Sequence, residues 1–237
     1  DKYDIKLNHR FVDEISSLNE SIEQMKEYLI NNEKYKNQTY QNISHDFKTP
    51  ITVIKSYIEA TEDGIETKDK SLEIIKEQID KLENKVHSLL YLNKLNYIKD
   101  RNENSKATTN IQDVIEASVK KFKLIRPEIN YKLDIDGKTE YRGTYDMWET
   151  IIDNLLNNFM RYAKKEIKIT VKNKKITFYN DGENIDEDIL NNIFTPYEKG
   201  LNGMFGLGLS IVRKTLNLLD YDITAKNEKN GVNFVIK

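Results

Sequence analysis

The chain has 237 residues, enough for one large domain or for two smaller ones with separate cores. Its 37 basic and 39 acidic residues give a formal net charge of −2, so charge favours neither nucleic acid nor an acidic membrane surface as a partner. The absence of cysteine excludes disulfide bonds and thiolate metal sites. No apolar run approaches the roughly 20 residues of a membrane span, so we expect a cytoplasmic fragment, with any membrane anchor upstream.

Two long runs of apolar residues at steps of three and four predict two long helices in the first hundred positions. The first run comprises Ile15, Leu18, Ile22, Met25, Leu29, Ile43, Phe47, Ile51, Ile54 and Ile58. The second comprises Leu72, Ile75, Ile79, Leu82, Val86 and Leu89. The turn sequence Glu62-Asp63-Gly64 separates them and predicts a helical hairpin. Because a hairpin cannot bury its apolar stripe alone, pairing of two copies in a four-helix bundle is favoured over an intramolecular partner.

The stretch SHDFKTP, residues 44–50, places a histidine and a proline inside the first run. At about 100° per residue, His45 lies about 200° from Ile43 and therefore faces solvent. Pro50 lacks the N–H that would bond the carbonyl of residue 46, so the helix can bend there without ending. The alternative is an ordinary surface histidine in a proline-kinked helix.

Two neighbours distinguish His45 from the other histidines. Asp46 could hold the imidazole in one tautomer or accept its proton, which leaves the other ring nitrogen free as a nucleophile. Thr49 lies one turn along the same face, where its hydroxyl could hold a water or instead bond a carbonyl one turn back. His9 and His87 have no such neighbours, and we interpret them as ordinary surface residues.

The polar, nonperiodic segment 101–109 is typical of a linker. Beyond it, short strand patterns lie between amphipathic helices, which predicts an α+β fold for the remaining chain. The predicted helices cover 111–125, 145–162 and about 207–219. The predicted strands lie near 131–135, 140–143, 167–171, 176–179, 223 and 232–236.

The helix predicted over 145–162 is apolar on one side and carries a polar stripe about 60° wide on the other. Asn154, Asn158 and Arg161 form the stripe, with Tyr162 at its edge. Amide oxygens suit Mg²⁺, a guanidinium pairs with phosphate, and a phenol ring can lie against a base. This is the chemistry of a nucleotide site, although a solvated polar face would give the same pattern.

Two glycine-bearing segments follow this helix. In NDGENI, Gly182 allows close backbone approach directly after a strand, and Asn180 could accept a hydrogen bond from an adenine amino group. In GMFGLGLSIV, Gly206 and Gly208 precede a helix whose first N–H groups favour phosphate. Either segment alone is typical of an ordinary turn, whereas their order and spacing together indicate a nucleotide site.

Together these segments resemble the cytoplasmic core of a bacterial two-component sensor histidine kinase. SHDFKTP resembles the H box of the dimerisation and phosphotransfer domain. The segments NLLNNFMRY, NDGENI, IFTPYEKG and GLGL resemble the N, first glycine, F and second glycine boxes of a Bergerat-type ATP-binding domain. The resemblance implies a signalling helix over 1–35, similar to the end of a HAMP relay, and the phosphotransfer domain over 36–100. A linker over 101–109 and a catalytic α/β-sandwich domain over 110–237 would follow.

Carried over by position, the resemblance implies a role for each matched residue. It makes His45 the phosphoacceptor, Asp46 its acid/base neighbour and Asn158 the Mg²⁺ ligand. The other residues implied to surround ATP are Asn154, Arg161, Tyr162, Asn180, Gly182, Phe194, Gly206, Leu207 and Gly208. Lys199 is implied to reach the γ-phosphate from a mobile lid over about 195–205. Thr49 matches a position associated with dephosphorylation of a regulator.

Three positions depart from the family pattern. Asn180 stands where aspartate is frequent, and we expect its amide oxygen to accept the adenine hydrogen bond. Asn184 replaces a glycine, and asparagine is among the residues that best accept a positive φ. Phe159 replaces the usual alanine on the apolar side of its helix, which we interpret as a packing change.

The implied protein is a homodimer that phosphorylates His45 from Mg-ATP and passes the phosphoryl group to a response regulator, with phosphatase activity on that regulator. Its full-length parent would lie in the bacterial plasma membrane, and no direct binding of nucleic acid is expected. One alternative is a signalling adaptor, or pseudokinase, that binds nucleotide without turnover. Another is an ATPase that drives a clamp, but a hairpin with an outward histidine would have no purpose in such a machine.

Overall fold

The computed structural model of the chain describes residues 9–101, 107–136, 140–195 and 207–237. The chain divides into two units, Asp1–Ile75 and Lys76–Lys237, and the border falls inside the second long helix. Over the described ranges, every helix is too short or too polar to span a bilayer.

Two long helices, joined by a short turn, confirm the predicted helical hairpin. Helix α1 spans His9–Glu62, and helix α2 spans Lys68–Arg101. Pro50 lies inside α1 and does not end it. The proline removes one hydrogen bond from the ladder, but the turns on either side keep theirs, so the helix continues.

The turn after α1 depends on a glycine. Gly64 adopts a φ of +70°, a left-handed conformation that glycine reaches without steric cost. The Ile65 N–H then donates to the Ala60 carbonyl at 2.9 Å, which satisfies one of the last carbonyls of the helix. The hydroxyls of Thr61 and Ser71 lie 2.6 Å apart and link α1 to the start of α2.

The apolar stripe of α1 is exposed along much of its length. Residues on this stripe leave between 45% and 65% of their surface accessible: Leu18, Ile22, Met25, Leu29, Ile51 and Ile58. Exposed apolar area on this scale is a feature of surfaces that meet a partner. The four-helix bundle remains a prediction that this exposure supports.

Beyond the end of α2, the described part of the second unit contains a five-stranded sheet and three helices of more than ten residues. Its elements in chain order are β1 Thr108–Asn110, α3 Ile111–Ile125, β2 Asn130–Ile135, β3 Glu140–Arg142, α4 Tyr145–Tyr162, β4 Glu166–Lys172, β5 Lys175–Asn180, α5 Glu187–Leu190, α6 Gly208–Leu218, β6 Ile223–Glu228 and β7 Gly231–Ile236. The order in the sheet is β2-β4-β5-β7-β6; β2 and β4 are parallel, and the other neighbours are antiparallel. Strands β1 and β3 form a separate antiparallel pair.

Helices α3, α4 and α6 cover one face of the sheet. On β4 the side chains of Ile167, Ile169 and Val171 are fully buried, while the alternate positions face the other side. Each such side chain contributes about 1.5–3 kcal/mol on burial. The predicted two-layer α/β architecture is therefore confirmed.

Capping residues fix where α3 and α4 begin. The Asn110 side chain accepts a hydrogen bond from the Gln112 N–H, and the Thr144 hydroxyl accepts one from the Met147 N–H. Both helices have the bounds predicted from the sequence. The interpretation of Phe159 is also confirmed, because its ring is fully buried and packs on Phe178 and Phe234, with centroid distances of 6.3 and 5.1 Å.

Two short elements were not predicted from the sequence. Strand β1 begins inside the segment expected to be a linker, where it pairs with β3. The one-turn helix α5 follows the first glycine segment. Residues Asn173 and Lys174 form a two-residue hairpin turn with φ values of 53° and 59°, as a type I′ turn requires.

Candidate functional site

The predicted phosphoacceptor lies on the exposed side of α1. His45 is exposed and Asp46 is half-buried. The Thr49 hydroxyl donates to the His45 carbonyl at 3.2 Å, which is the carbonyl bond left open as an alternative by the sequence. The hydroxyl oxygen keeps its acceptor lone pairs, so this bond is compatible with a water held at the same position.

One end of the polar face of α4 meets the first residue of α6. A Cβ added to Gly208 would come within 2.8 Å of Asn154 Oδ1, so glycine allows the N-terminus of α6 to approach the amide. The Asn154 Nδ2 donates to the Thr150 carbonyl at 2.7 Å, which turns the oxygen away from its own helix. An amide oxygen therefore faces the helix end predicted to hold phosphate.

The other end of the same face meets the loop after β5. A Cβ on Gly182 would lie 2.6 Å from both the Tyr162 carbonyl oxygen and Asn180 Oδ1. Gly182 does not have a positive φ, so the space around it, and not its conformation, requires glycine. Asn154 and Tyr162 are eight residues apart, a rise of about 12 Å along a helix. The two glycine contacts thus mark two points about 12 Å apart along one polar face of α4.

The remaining polar residues of α4 lie along this face. Asn158 and Tyr162 are half-buried, and Arg161 is exposed. Among the described residues, no cluster of His, Cys, Asp or Glu side chains could hold a metal ion.

Asn180, the last residue of β5, is only 3% exposed. Its Oδ1 accepts a hydrogen bond from the Gly182 N–H at 2.9 Å. Gly231 of β7 lies against its backbone, since a Cβ there would come within 2.1 Å of the Asn180 carbonyl oxygen. Gly231 was not predicted as a site residue; its place between two predicted strands was the only signal in the sequence.

The carboxylate of Asp181 fixes the segment beside Asn180. Its oxygens accept the N–H groups of Lys164 at 2.9 Å and Lys165 at 2.9 and 3.0 Å. Burial by itself would raise the pKa of Asp181, but the backbone hydrogen bonds from this connection outweigh it and hold the pKa below its usual value. The end of β5 is therefore held to the connection between α4 and β4.

A second side chain fixes the loop that follows Gly182. Asn227 accepts the Ile185 N–H at 2.9 Å and donates its Nδ2 to the Ile185 carbonyl at 2.7 Å. Asn184 is exposed and is not among the described residues with a positive φ. The tolerance of asparagine for a positive φ is therefore not needed here, because the loop passes this point with an ordinary backbone.

Two predicted binding residues are buried. Phe194 is 4% exposed, packs on Phe234 at 5.6 Å, and lies beneath the Arg213 guanidinium at 5.7 Å. Leu207, 7% exposed, precedes α6, and its carbonyl accepts the hydroxyl of Ser210. Both side chains therefore belong to the packed interior of the second unit. Lys199, Gly206 and the expected lid beyond residue 195 lie outside the described residues.

Comparison with known families assigns both the helical hairpin and the α/β domain to one class of protein. Residues 35–98 match the His Kinase A (phospho-acceptor) domain. Residues 143–237 match the histidine kinase-, DNA gyrase B- and HSP90-like ATPase domain. His45 lies in the first match, and helix α4 with its polar face lies in the second. The chain belongs to the sensor histidine kinases and carries their phosphoacceptor and ATPase domains.

Individual relatives agree with this class. The chain is 35% identical over 231 residues to the sensor histidine kinase CssS of Bacillus subtilis (strain 168), covering 94% of this chain and 51% of CssS. It therefore spans about half the length of that relative.

Two solved structures share the fold. The histidine kinase AdeS of Acinetobacter baumannii matches with a TM-score of 0.65 and 21% identity, covering 81% of this chain and 95% of AdeS. The histidine kinase ThkA, solved in complex with the response regulator protein TrrA, matches with a TM-score of 0.66 and 22% identity. That match covers 84% of this chain and 60% of ThkA.

Proposed function

We propose that the chain transfers the γ-phosphoryl group of ATP to His45 and then to an aspartate of a response regulator. The observation that carries the proposal is an exposed histidine in a phosphoacceptor domain, followed in the same chain by an ATPase domain whose helix α4 carries the predicted polar face. ThkA binds a response regulator, which supports a partner of the same class here.

The transfer needs little covalent chemistry from the protein. A ring nitrogen of His45 forms a bond to the γ-phosphorus while the bond from that phosphorus to the bridging oxygen breaks, and ADP leaves. Asp46 holds the imidazole in the tautomer that leaves the attacking nitrogen unprotonated. Asn158 would supply an amide oxygen to Mg²⁺, which neutralises charge on the phosphates. Arg161 would pair with a phosphate.

Phosphate labelling tests this assignment. Incubation with ATP labelled on the γ-phosphate should give acid-labile label on His45. His45→Gln should fold normally and lose labelling, because an exposed residue contributes little to stability. His87→Gln is the matched control, since His87 is also exposed on a long helix and should keep full labelling. Label on another histidine, or no label at all, would overturn the proposal and favour a nucleotide-binding adaptor.

The exposed stripe supports a homodimer as the functional state. Pairing of two hairpins would cover the side chains of Ile51 and Ile58, which are 53% and 45% exposed in one chain. In sedimentation equilibrium, Ile51→Glu should shift the chain toward monomer. Ser56→Glu adds the same charge at an exposed position of α1 and should leave the dimer intact. Equal effects of the two variants would contradict this arrangement.

Two finer parts of the function rest on the resemblance. Thr49, one turn from His45, would hold the water that hydrolyses the phosphorylated regulator.

Because the chain spans about half of CssS, the parent protein would contain further segments, and we propose a membrane sensor among them. Fractionation of cells that express the full-length parent would test the membrane location.

A further inference from the structure

The end of helix α4 is held by side chains from two distant segments of the chain. The helix ends at Tyr162, and the last carbonyls of any helix have no N–H partner in a following turn. In a longer helix the Met160 carbonyl would accept the N–H of Lys164, four residues on. That N–H donates instead to Asp181 at 2.9 Å. The Met160 carbonyl accepts Arg126 Nη1, so each half of the missing helical bond has a side-chain partner.

The position of Arg126 follows from its local sequence. Because Pro127 disfavours a helical conformation at the residue before it, α3 ends at Ile125. Arg126 has a nonhelical φ of −128° and ψ of 73°, and its N–H donates to the Phe122 carbonyl at 3.0 Å. In its side chain, Nε donates to the Glu128 carboxylate. The planar guanidinium is therefore held in a defined orientation where it meets α4.

The last turn of α4 carries two residues of the predicted nucleotide site. Arg161 and Tyr162, the predicted contacts to phosphate and base, follow Met160 directly. The last turn of a helix frays readily, and a cation beside its carbonyls stabilises it through the helix dipole as well as through the hydrogen bond. We propose that Arg126 is a positioning residue for nucleotide binding, because it holds the turn from which Arg161 and Tyr162 extend. This inference rests on the proposed ATP-binding function and adds a residue that lies on another element.

A second charged link between the same two helices provides a matched control. Lys121 Nζ of α3 lies 2.6 Å from Asp153 Oδ2 of α4. Asp153 is nine residues before Tyr162, a distance of about 14 Å along the helix. Loss of this link should therefore weaken the packing of α3 on α4 without releasing the last turn.

The dependence of His45 labelling on ATP concentration tests the inference. Arg126→Met removes the donors but keeps an unbranched stem, so it should fold with a melting temperature lowered by only a few degrees. It should raise the KM for ATP by about tenfold and leave the rate at saturating ATP within about twofold, because the weakened contacts bind ATP before and during the transfer alike. Calorimetry with Mg²⁺ present should show the same rise in the dissociation constant for ATP. Arg126→Lys keeps a charged donor for the carbonyl and should stay within about threefold of the unaltered chain.

Lys121→Met removes a link of the same kind and should lower the melting temperature by a similar amount without changing the KM. An unchanged KM in a folded Arg126→Met would overturn the inference, since the arginine would then support only the fold, and it would leave the proposed function intact. An equal rise in KM for Lys121→Met would overturn it as well, because general loosening of α3 from α4 would explain both results. Failure of the unaltered chain to bind ATP and to label His45 would contradict the proposed function itself.

Discussion

His45 and Asn180 represent two opposite ways of presenting a functional side chain. His45 stands on the exposed side of a long helix, and its surroundings are mainly its own helical turn. Asn180 is buried at a sheet end and is held by Gly182, by two neighbouring strands and by the close approach of Gly231. A group that must meet both ATP and a second protein has to be accessible. A side chain that is predicted to face a base has to be fixed, because a small displacement would break the hydrogen bond.

Replacing a glycine in each region should show how much more tightly the second is packed. Gly231→Ala places a Cβ within 2.1 Å of the Asn180 carbonyl at a φ of +133°, so we expect it to lower the free energy of unfolding by about 3 kcal/mol or more. Gly64→Ala meets open space at a φ of +70° and should cost about 1 kcal/mol.

Two spectroscopic probes measure the unfolding of the two regions separately. Trp148, the only tryptophan, is fully buried in the second unit, and its fluorescence in a urea titration reports that unit. Far-UV circular dichroism, dominated by the long helices, reports the hairpin. Equal costs for the two variants would show that the approach of Gly231 to Asn180 is not a tight constraint.

Asn158→Asp tests the predicted nucleotide site on the polar face of α4, because it adds a negative charge with little change in the shape of the side chain. The side chain is half-buried on the polar face, so we expect binding of Mg-ATP and labelling of His45 to fall by about tenfold or more. Stability should change by less than about 0.5 kcal/mol. Asn157→Asp adds the same charge at an exposed position of α4 and should have a smaller effect. Similar losses in the two variants would mean that charge alone, and not ligation, explains the result.

Asp181→Ala should make the stability of the second unit depend less on pH. The pKa of Asp181 is lower in the folded chain than in the unfolded chain. Its ionised carboxylate therefore contributes to folding stability above the unfolded pKa of about 3.9, and this contribution is lost as the pH falls through the folded pKa. We expect a cost of about 1–2 kcal/mol at pH 6 that shrinks below about pH 4. The control is Asp188→Ala, which removes an exposed acid. A cost that stays constant down to pH 3 would exclude the charged hydrogen bonds as its source.

Thr49→Ala should have the smallest effect on folding and on labelling of His45. It removes an exposed hydrogen bond of 3.2 Å, and alanine favours helix, so the melting temperature should stay within about 2 °C. Labelling should be retained while dephosphorylation of the regulator slows. Thr52→Ala removes the same kind of bond, to the Lys48 carbonyl at 2.9 Å, and should leave both reactions unchanged. Loss of labelling together with a lower melting temperature would instead show a structural hydroxyl.

The sequence predicted the long elements because their signals are local. Helices α3 and α4 have the bounds expected from their apolar period, and their first turns are capped by the adjacent Asn110 and Thr144. The outward position of His45 also followed from helical geometry, which needs no distant residue. The burial of Phe159 followed from its place on the apolar side of α4.

Contacts between residues far apart in the chain were decided by the tertiary structure. Strand β1 exists only because β3 pairs with it, and its three residues have no period of their own. The Gly182 N–H donates to Asn180 Oδ1 once the loop turns back, a contact that the sequence did not predict, and the oxygen keeps a second lone pair. Gly231 lies against Asn180 although 51 positions separate them, because β7 pairs with β5. Local patterns determine helices and strands, whereas the atoms offered to a ligand depend on which strands meet.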